Sequence, residues 1–152
     1  MKKDLWGYNR ILNSVVLKAI TVFVVAFLLS PEARATEPPK DLWQGLIGEA
    51  VSEGYEGMYA VACVYKNRIN KGMSLGCVAL KRKDLNQFIK KQGVKYERMA
   101  KSIIEKVFYQ NAEDITKGAI HYENIERFGI PYWAKDMIIT CKIRNHTFYK
   151  RR

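Results

Sequence analysis

Beyond Pro38 and Pro39, Leu42, Trp43, Leu46, Ile47 and Ala50 recur at the spacing of one helix face, with Asp41 placed to cap the helix and Ser52 to Gly54 placed to end it. A longer amphipathic helix is predicted over residues 55–70. There Met58, Ala62, Tyr65 and Ile69 share a face beside Val61 and Val64, and Gly72 is positioned as the C-terminal cap. A glycine- and lysine-rich crossing with Gly72, Gly76 and Cys77 leads to a short helix over residues 84–90, capped by Asp84. Met99, Ile103, Ile104, Val107 and Phe108 then predict a third substantial helix over residues 96–111. After it the period changes. Residues 118–122 read as a short strand, residues 124–131 as a loop, and residues 138–143 and 146–149 as the arms of a small hairpin around Arg144-Asn145. The expected fold class is α+β, mainly helical, in a single domain with a small late β element.

The front of the chain follows another pattern. Lys2, Lys3, Arg10 and Lys18 precede the uncharged apolar run of residues 19–29, and Ala33-Arg34-Ala35 forms a small-x-small site before Thr36. Residues 1–35 are therefore expected to be a secretory signal, residues 36–40 a short extended lead-in, and residues 41–152 the working domain. The apolar run falls short of the roughly 20 residues that span a bilayer. Extending it back to Val15 through Lys18 leaves an uncleaved anchor as the alternative. The predicted localisation is outside the cytoplasm: periplasm, cell wall or extracellular space.

Composition narrows the field. The 152 residues carry 26 Lys and Arg against 15 Asp and Glu, a formal charge of +11. Losing residues 1–35 would remove five of those bases and two of the acids, so the domain stays basic. Candidate partners are thus anionic: acidic wall polymers, lipid headgroups or nucleic acid. With 10 Gly, 4 Pro and 3 Cys the chain is neither collagen-like nor a disulfide miniprotein. Cys63 falls among apolar helix positions and reads as a buried thiol, whereas Cys77 and Cys141 could pair in an oxidising compartment. Two distant His and no Cys-x-x-Cys leave no visible metal-ligand set, and no cofactor is expected.

Glu49 is the candidate for chemistry. It lies seven residues after Leu42, at the edge of the apolar stripe and in the last turn of its helix. Desolvation and the negative end of the helix dipole both disfavour an anion there, which suits a general acid. By spacing alone, a helix-end Glu pointing into water is the competing reading.

Several segments share one resemblance. Leu46-Ile47-Gly48-Glu49-Ala50 and the run Tyr55-Glu56-Gly57-Met58-Tyr59-Ala60-Val61-Ala62-Cys63-Val64-Tyr65-Lys66-Asn67-Arg68 resemble the opening of the SleB/CwlJ cell wall hydrolase family of spore-cortex-lytic enzymes. Cys77-Val78 with Gln87-Phe88, then Gly118-Ala119-Ile120-His121-Tyr122-Glu123-Asn124, then Asn145-His146-Thr147-Phe148-Tyr149 are similar to its later segments, in order. The chain departs from the family pattern at Val51, Ile89 and Arg144, where Arg, Ser and a turn Gly are common.

The resemblance implies a lysozyme-like domain that cuts peptidoglycan glycan strands between N-acetylmuramic acid and N-acetylglucosamine, with Glu49 as catalytic acid. It further implies a lytic transglycosylase, in which one carboxyl group protonates the leaving oxygen and then accepts the muramyl C6 hydroxyl proton. A hydrolase would call for a second carboxylate, about 5–5.5 Å or about 6.5–9.5 Å away; Glu53, Glu56 and Glu123 are available. A sugar cleft needs aromatic faces and amides, so Gln87, Tyr122, Asn124, Trp133, Asn145 and His146, in or beside the matching segments, are nominated as substrate-lining. The expected partner is peptidoglycan, with anionic wall polymers as further candidates, no nucleic acid, and a membrane only if the leading segment stays uncleaved. Two other functions remain open: a catalytically weak wall-binding or assembly protein, and a membrane-anchored basic protein that binds anionic lipid or nucleic acid.

Overall fold

The computed structural model describes residues 37–152, so the expected signal segment and its cleavage site lie outside the described residues. Helix α1 (Leu42–Ala50) forms on the predicted stripe, with Leu42, Leu46, Ile47 and Ala50 fully buried. The carboxylate of Asp41 makes no capping bond; its backbone carbonyl accepts from Gln44 instead. A 3-10 turn (Val51–Glu53) and Gly54, at φ +68°, redirect the chain into α2 (Gly54–Asn70). Helix α2 ends as its sequence predicts, with Gly72 at φ +64° donating to the Ile69 carbonyl.

The crossing after α2 closes in a second 3-10 turn (Ala79–Lys81) and enters α3 (Leu85–Gln92). Asp84 precedes α3 without capping it, because its carboxylate is engaged by Arg82. Gly93, at φ +85°, separates α3 from α4 (Val94–Ile104). The expected helix over residues 96–111 therefore begins earlier, and from Glu105 to Tyr109 it loosens into a π turn. In that turn Val107 and Phe108 are both buried, and the Val107 carbonyl accepts from Lys66 Nζ at 2.7 Å.

Three strands complete the chain: β1 (His121–Glu123), β2 (Met137–Ile143) and β3 (His146–Arg151), antiparallel in the order β1-β3-β2. Strand β1 starts later than predicted because Lys117 and Gly118, at φ +56° and +81°, still belong to a turn organised by Asp114. The Asp114 carboxylate accepts from the backbone of Thr116 and Gly118, the Thr116 hydroxyl and the Asn67 amide. The predicted loop over residues 124–131 contains one helical turn, α5 (Ile125–Phe128), and the hairpin turns at Arg144-Asn145 as expected. The fold is thus α+β and mainly helical, with its β element late in the chain. Among the described residues no helix is long and apolar enough to cross a membrane.

Packing follows from the buried faces. One cluster gathers Leu46, Ile47, Met58, Val61, Ile103 and Val107 between α1, α2 and α4; a smaller one, Ala60, Val64, Ala119 and Phe148, seats the sheet on the other side of α2. All three cysteines are free, so the suggested Cys77–Cys141 pairing is not formed: Cys77 is buried beside α1 while Cys141 Sγ faces the Ile115 carbonyl at 3.7 Å.

Two glycines of α1 fix the approach of the crossing. A Cβ on Gly45 would lie 2.5 Å from Cys77 Sγ, and one on Gly48 2.5 Å from Ala79 Cβ. Only bare helix backbone lets residues 77–80 come this near. Gly48→Ala is expected to destabilise the domain by about 1–3 kcal/mol through overpacking, despite the better helix propensity of Ala. A denaturant titration measures this, and an unchanged midpoint would show that the crossing does not need the contact.

Candidate active site

Glu49 sits in the last turn of α1, half-buried, at the wall of an open cleft of about 400 Å³ between the helices and the sheet. The glycine-permitted approach of residues 77–80 brings the Ala79 N–H to its Oε1 at 2.8 Å. From the sheet, the Tyr122 hydroxyl donates to Oε2 at 3.3 Å. Each oxygen thus has one donor, from opposite halves of the domain. To the desolvation and helix dipole expected at this position the structure adds two donors, which hold the carboxylate in place.

The phenols around it stay protonated. Burial, and then the charge of Glu49, push the Tyr122 hydroxyl far above the ordinary tyrosine range. Tyr65, reaching the cleft from α2, is raised as well, by burial first and then by Tyr122, and its hydroxyl has no hydrogen-bond partner. His146, on β3, meets the Tyr122 ring edge-on at 5.1 Å, and its buried Nδ1 is likewise unpartnered. Burial lowers its pKa below the usual histidine value, against the opposing pull of Glu53, Glu123 and Glu49. Both unpartnered atoms are enclosed in the wall of the cleft.

Trp133 lines the same cleft, its ring 4.9 Å from His121 and edge-on to Tyr149 at 5.2 Å. Of the nominated residues, then, Glu49, Tyr122, Trp133 and His146 share one cleft. The other three do not line it. Gln87 is exposed on α3. Asn124 caps α5, its side chain accepting from the Arg127 N–H at 3.0 Å. Asn145 is fixed in the hairpin turn, where its backbone N–H and side-chain amide donate to Glu53 at 3.0 and 3.1 Å.

This last contact also decides among the candidate second carboxylates. Glu53 is buried with both oxygens taken by Asn145, and Glu56 is exposed outside the cleft. Glu123 lines the cleft with Glu49, and one of its oxygens accepts from the Asn124 N–H at 2.9 Å.

With this geometry in hand, comparison with protein families gives one result: the Cell Wall Hydrolase profile matches residues 52–149. The chain belongs to the cell wall hydrolase family. It is an enzyme domain whose substrate is peptidoglycan. The match begins just after Glu49 and covers the cleft residues from α2, β1 and β3. No curated protein and no solved structure matched the chain.

The cleft of this cell wall hydrolase also contains residues not nominated from the sequence. Tyr65, on the apolar face of α2, is buried in the core as that face implies, and backs the cleft wall. Arg68 ties the crossing to the sheet, donating to the Ser74 carbonyl at 2.7 Å and the Ile120 carbonyl at 2.9 Å. Nothing in the spacing of Arg68 marked that role. Among the described residues no group of His, Cys, Asp and Glu is placed to hold a metal ion.

The histidines give the site a pH signature. His146 and His121 both titrate below 6.5 in the folded chain; burial is the first cause in each, joined for His121 by Arg68 and Arg151. As pH falls through about 6.5 the unfolded chain takes up these protons first, so stability present above that pH is lost below it. The melting temperature is expected to drop between pH 7.5 and 5.5, and to drop less in His146→Gln. Equal drops in both proteins would contradict burial of a neutral His146.

Proposed function

We propose that the protein cleaves glycan strands between N-acetylmuramic acid and N-acetylglucosamine as a lytic transglycosylase, with Glu49 as the single acid and base. The observation that carries this reading is the Glu49 carboxyl group, facing an open cleft and held by the Ala79 N–H and the Tyr122 hydroxyl. In its protonated form Glu49 gives its proton to the glycosidic oxygen as the C1–O bond breaks. The resulting carboxylate, within reach of the same two donors, then takes the proton of the muramyl C6 hydroxyl as that oxygen bonds to C1. The ring closes as a 1,6-anhydro end, Glu49 is protonated again, and no water is consumed. Tyr122 holds the anionic form between the two transfers, while Trp133 and His146 are proposed to receive the sugar and its N-acetyl group. We place this activity outside the cytoplasm, where the wall lies, consistent with the expected signal in residues 1–35.

One observation favours a second reading. Glu123 shares the cleft with Glu49 and could serve as the second carboxylate of a muramidase, which would deliver water to C1. The products separate the two. Purified peptidoglycan incubated with the full-length protein is expected to release fragments with anhydromuramyl ends, and Glu49→Gln to lower their rate at least about 10²-fold. Mass spectrometry checks both: reducing ends, heavier by one water, that vanish in Glu123→Gln would turn the assignment to hydrolysis. Undiminished release by Glu49→Gln would overturn the role of Glu49.

A further inference from the structure

Beside the cleft lies a second groove of about 330 Å³ with a different character. Strand β3 runs past its last pairing with β1, His121 opposite Tyr149, and carries Lys150 and Arg151 beyond the end of β1. There they meet Arg152, the turn at Gly118 and Lys71 from the C-terminal end of α2. Four exposed cations thus surround one groove, and no Asp or Glu side chain lines it. Among the described residues none of the four side chains makes an ion pair or a hydrogen bond to protein. The partial negative charge of the α2 terminus offsets only part of this repulsion. Uncompensated like charge around a concave surface is the arrangement that attracts an anion, and the Arg forks match a carboxylate or a phosphate.

The position of the groove selects the anion. Ile120 lines both the groove and the cleft that holds Glu49, so the two are neighbours across a single residue. Whatever enters the groove while a glycan occupies the cleft is most simply a substituent of that glycan. Peptidoglycan supplies one: the short peptide on each muramyl lactyl group, which bears free carboxylates. Three extended residues of such a peptide reach about 10 Å.

We propose that the groove formed by Lys71, Lys150, Arg151 and Arg152 binds the carboxylates of the stem peptide, making the enzyme selective for peptide-bearing strands. The inference rests on glycan binding in the adjacent cleft, as set out above. It adds a substrate requirement that the glycan chemistry alone does not impose.

The test compares the full-length parent with a Lys71→Gln/Lys150→Gln/Arg151→Gln variant and with Lys71→Arg/Lys150→Arg, which keeps the charge. Binding and fragment release are measured on peptidoglycan freed of phosphate-bearing polymers, with stem peptides intact or removed by an amidase. The parent is expected to bind peptide-bearing strands about tenfold more tightly than bare ones, the sum of a few exposed charge contacts. That preference should collapse in the Gln variant, persist in the Arg variant and weaken as salt rises. A preference that survives in the Gln variant, or its absence in the parent, overturns the proposal. Tight binding only to walls that retain phosphodiester polymers also overturns it, since the groove would then take wall phosphate. Peptide-dependent binding without any fragment release would leave the groove standing and remove the cleavage reading instead.

Discussion

The close approach of residues 77–80 to helix α1 is the constraint on which the site depends. Gly45 and Gly48 leave bare backbone where any side chain would meet Cys77 or Ala79 within 2.5 Å, and only at that distance does the Ala79 N–H reach Glu49. A glycine in the middle of a helix costs about 0.5–1 kcal/mol relative to alanine, and α1 accepts this cost twice in nine residues. The return is a carboxylate with a fixed oxygen, held by a backbone donor that has no rotamers to lose. Such rigidity separates an acid aimed at a bond from one that samples solvent.

A second constraint joins the two halves of the domain. The buried carboxylate of Glu53, between α1 and α2, accepts two bonds from Asn145 at the tip of the hairpin. Charge-assisted bonds of this kind contribute about 1.5–3 kcal/mol each when buried. They anchor a turn whose first residue, Arg144, lies at φ +55°, a conformation that glycine adopts with less strain. With the hairpin pinned there, β3 presents His146 to the cleft and holds β1 in register, which places the Tyr122 hydroxyl against Glu49. The helices supply the acid and the sheet supplies its second donor. Neither half alone contains the site.

This division explains what the sequence could show. Apolar spacing located α1 and α2 closely, since each buries a stripe whose period survives in the residues, and the extended runs on either side of Arg144-Asn145 located the hairpin. It failed where backbone geometry is set by other partners. The π turn after Ile104 accompanies a Lys66 ammonium that takes the Val107 carbonyl, and the late start of β1 reflects the hydrogen bonds around Asp114, neither of which has a period. The structure gathers Glu49, Tyr122, Trp133 and His146 in one cleft, whereas Asn124 and Asn145 serve as turn residues and Gln87 stands exposed on α3, placements that residue type alone does not separate. Tyr65 packs in the core, as its place on the α2 stripe implies, and backs the wall of the cleft.

The measurement that tests the account most directly is a crystal structure of Glu49→Gln with a bound peptidoglycan fragment that spans the scissile bond. The account predicts the glycosidic oxygen within about 2.6–3.2 Å of the side chain at position 49, with that side chain still held by Ala79 and Tyr122. A glycan seated elsewhere, or one whose nearest linkage oxygen lies beyond reach of position 49 with a different carboxylate beside it, would contradict it.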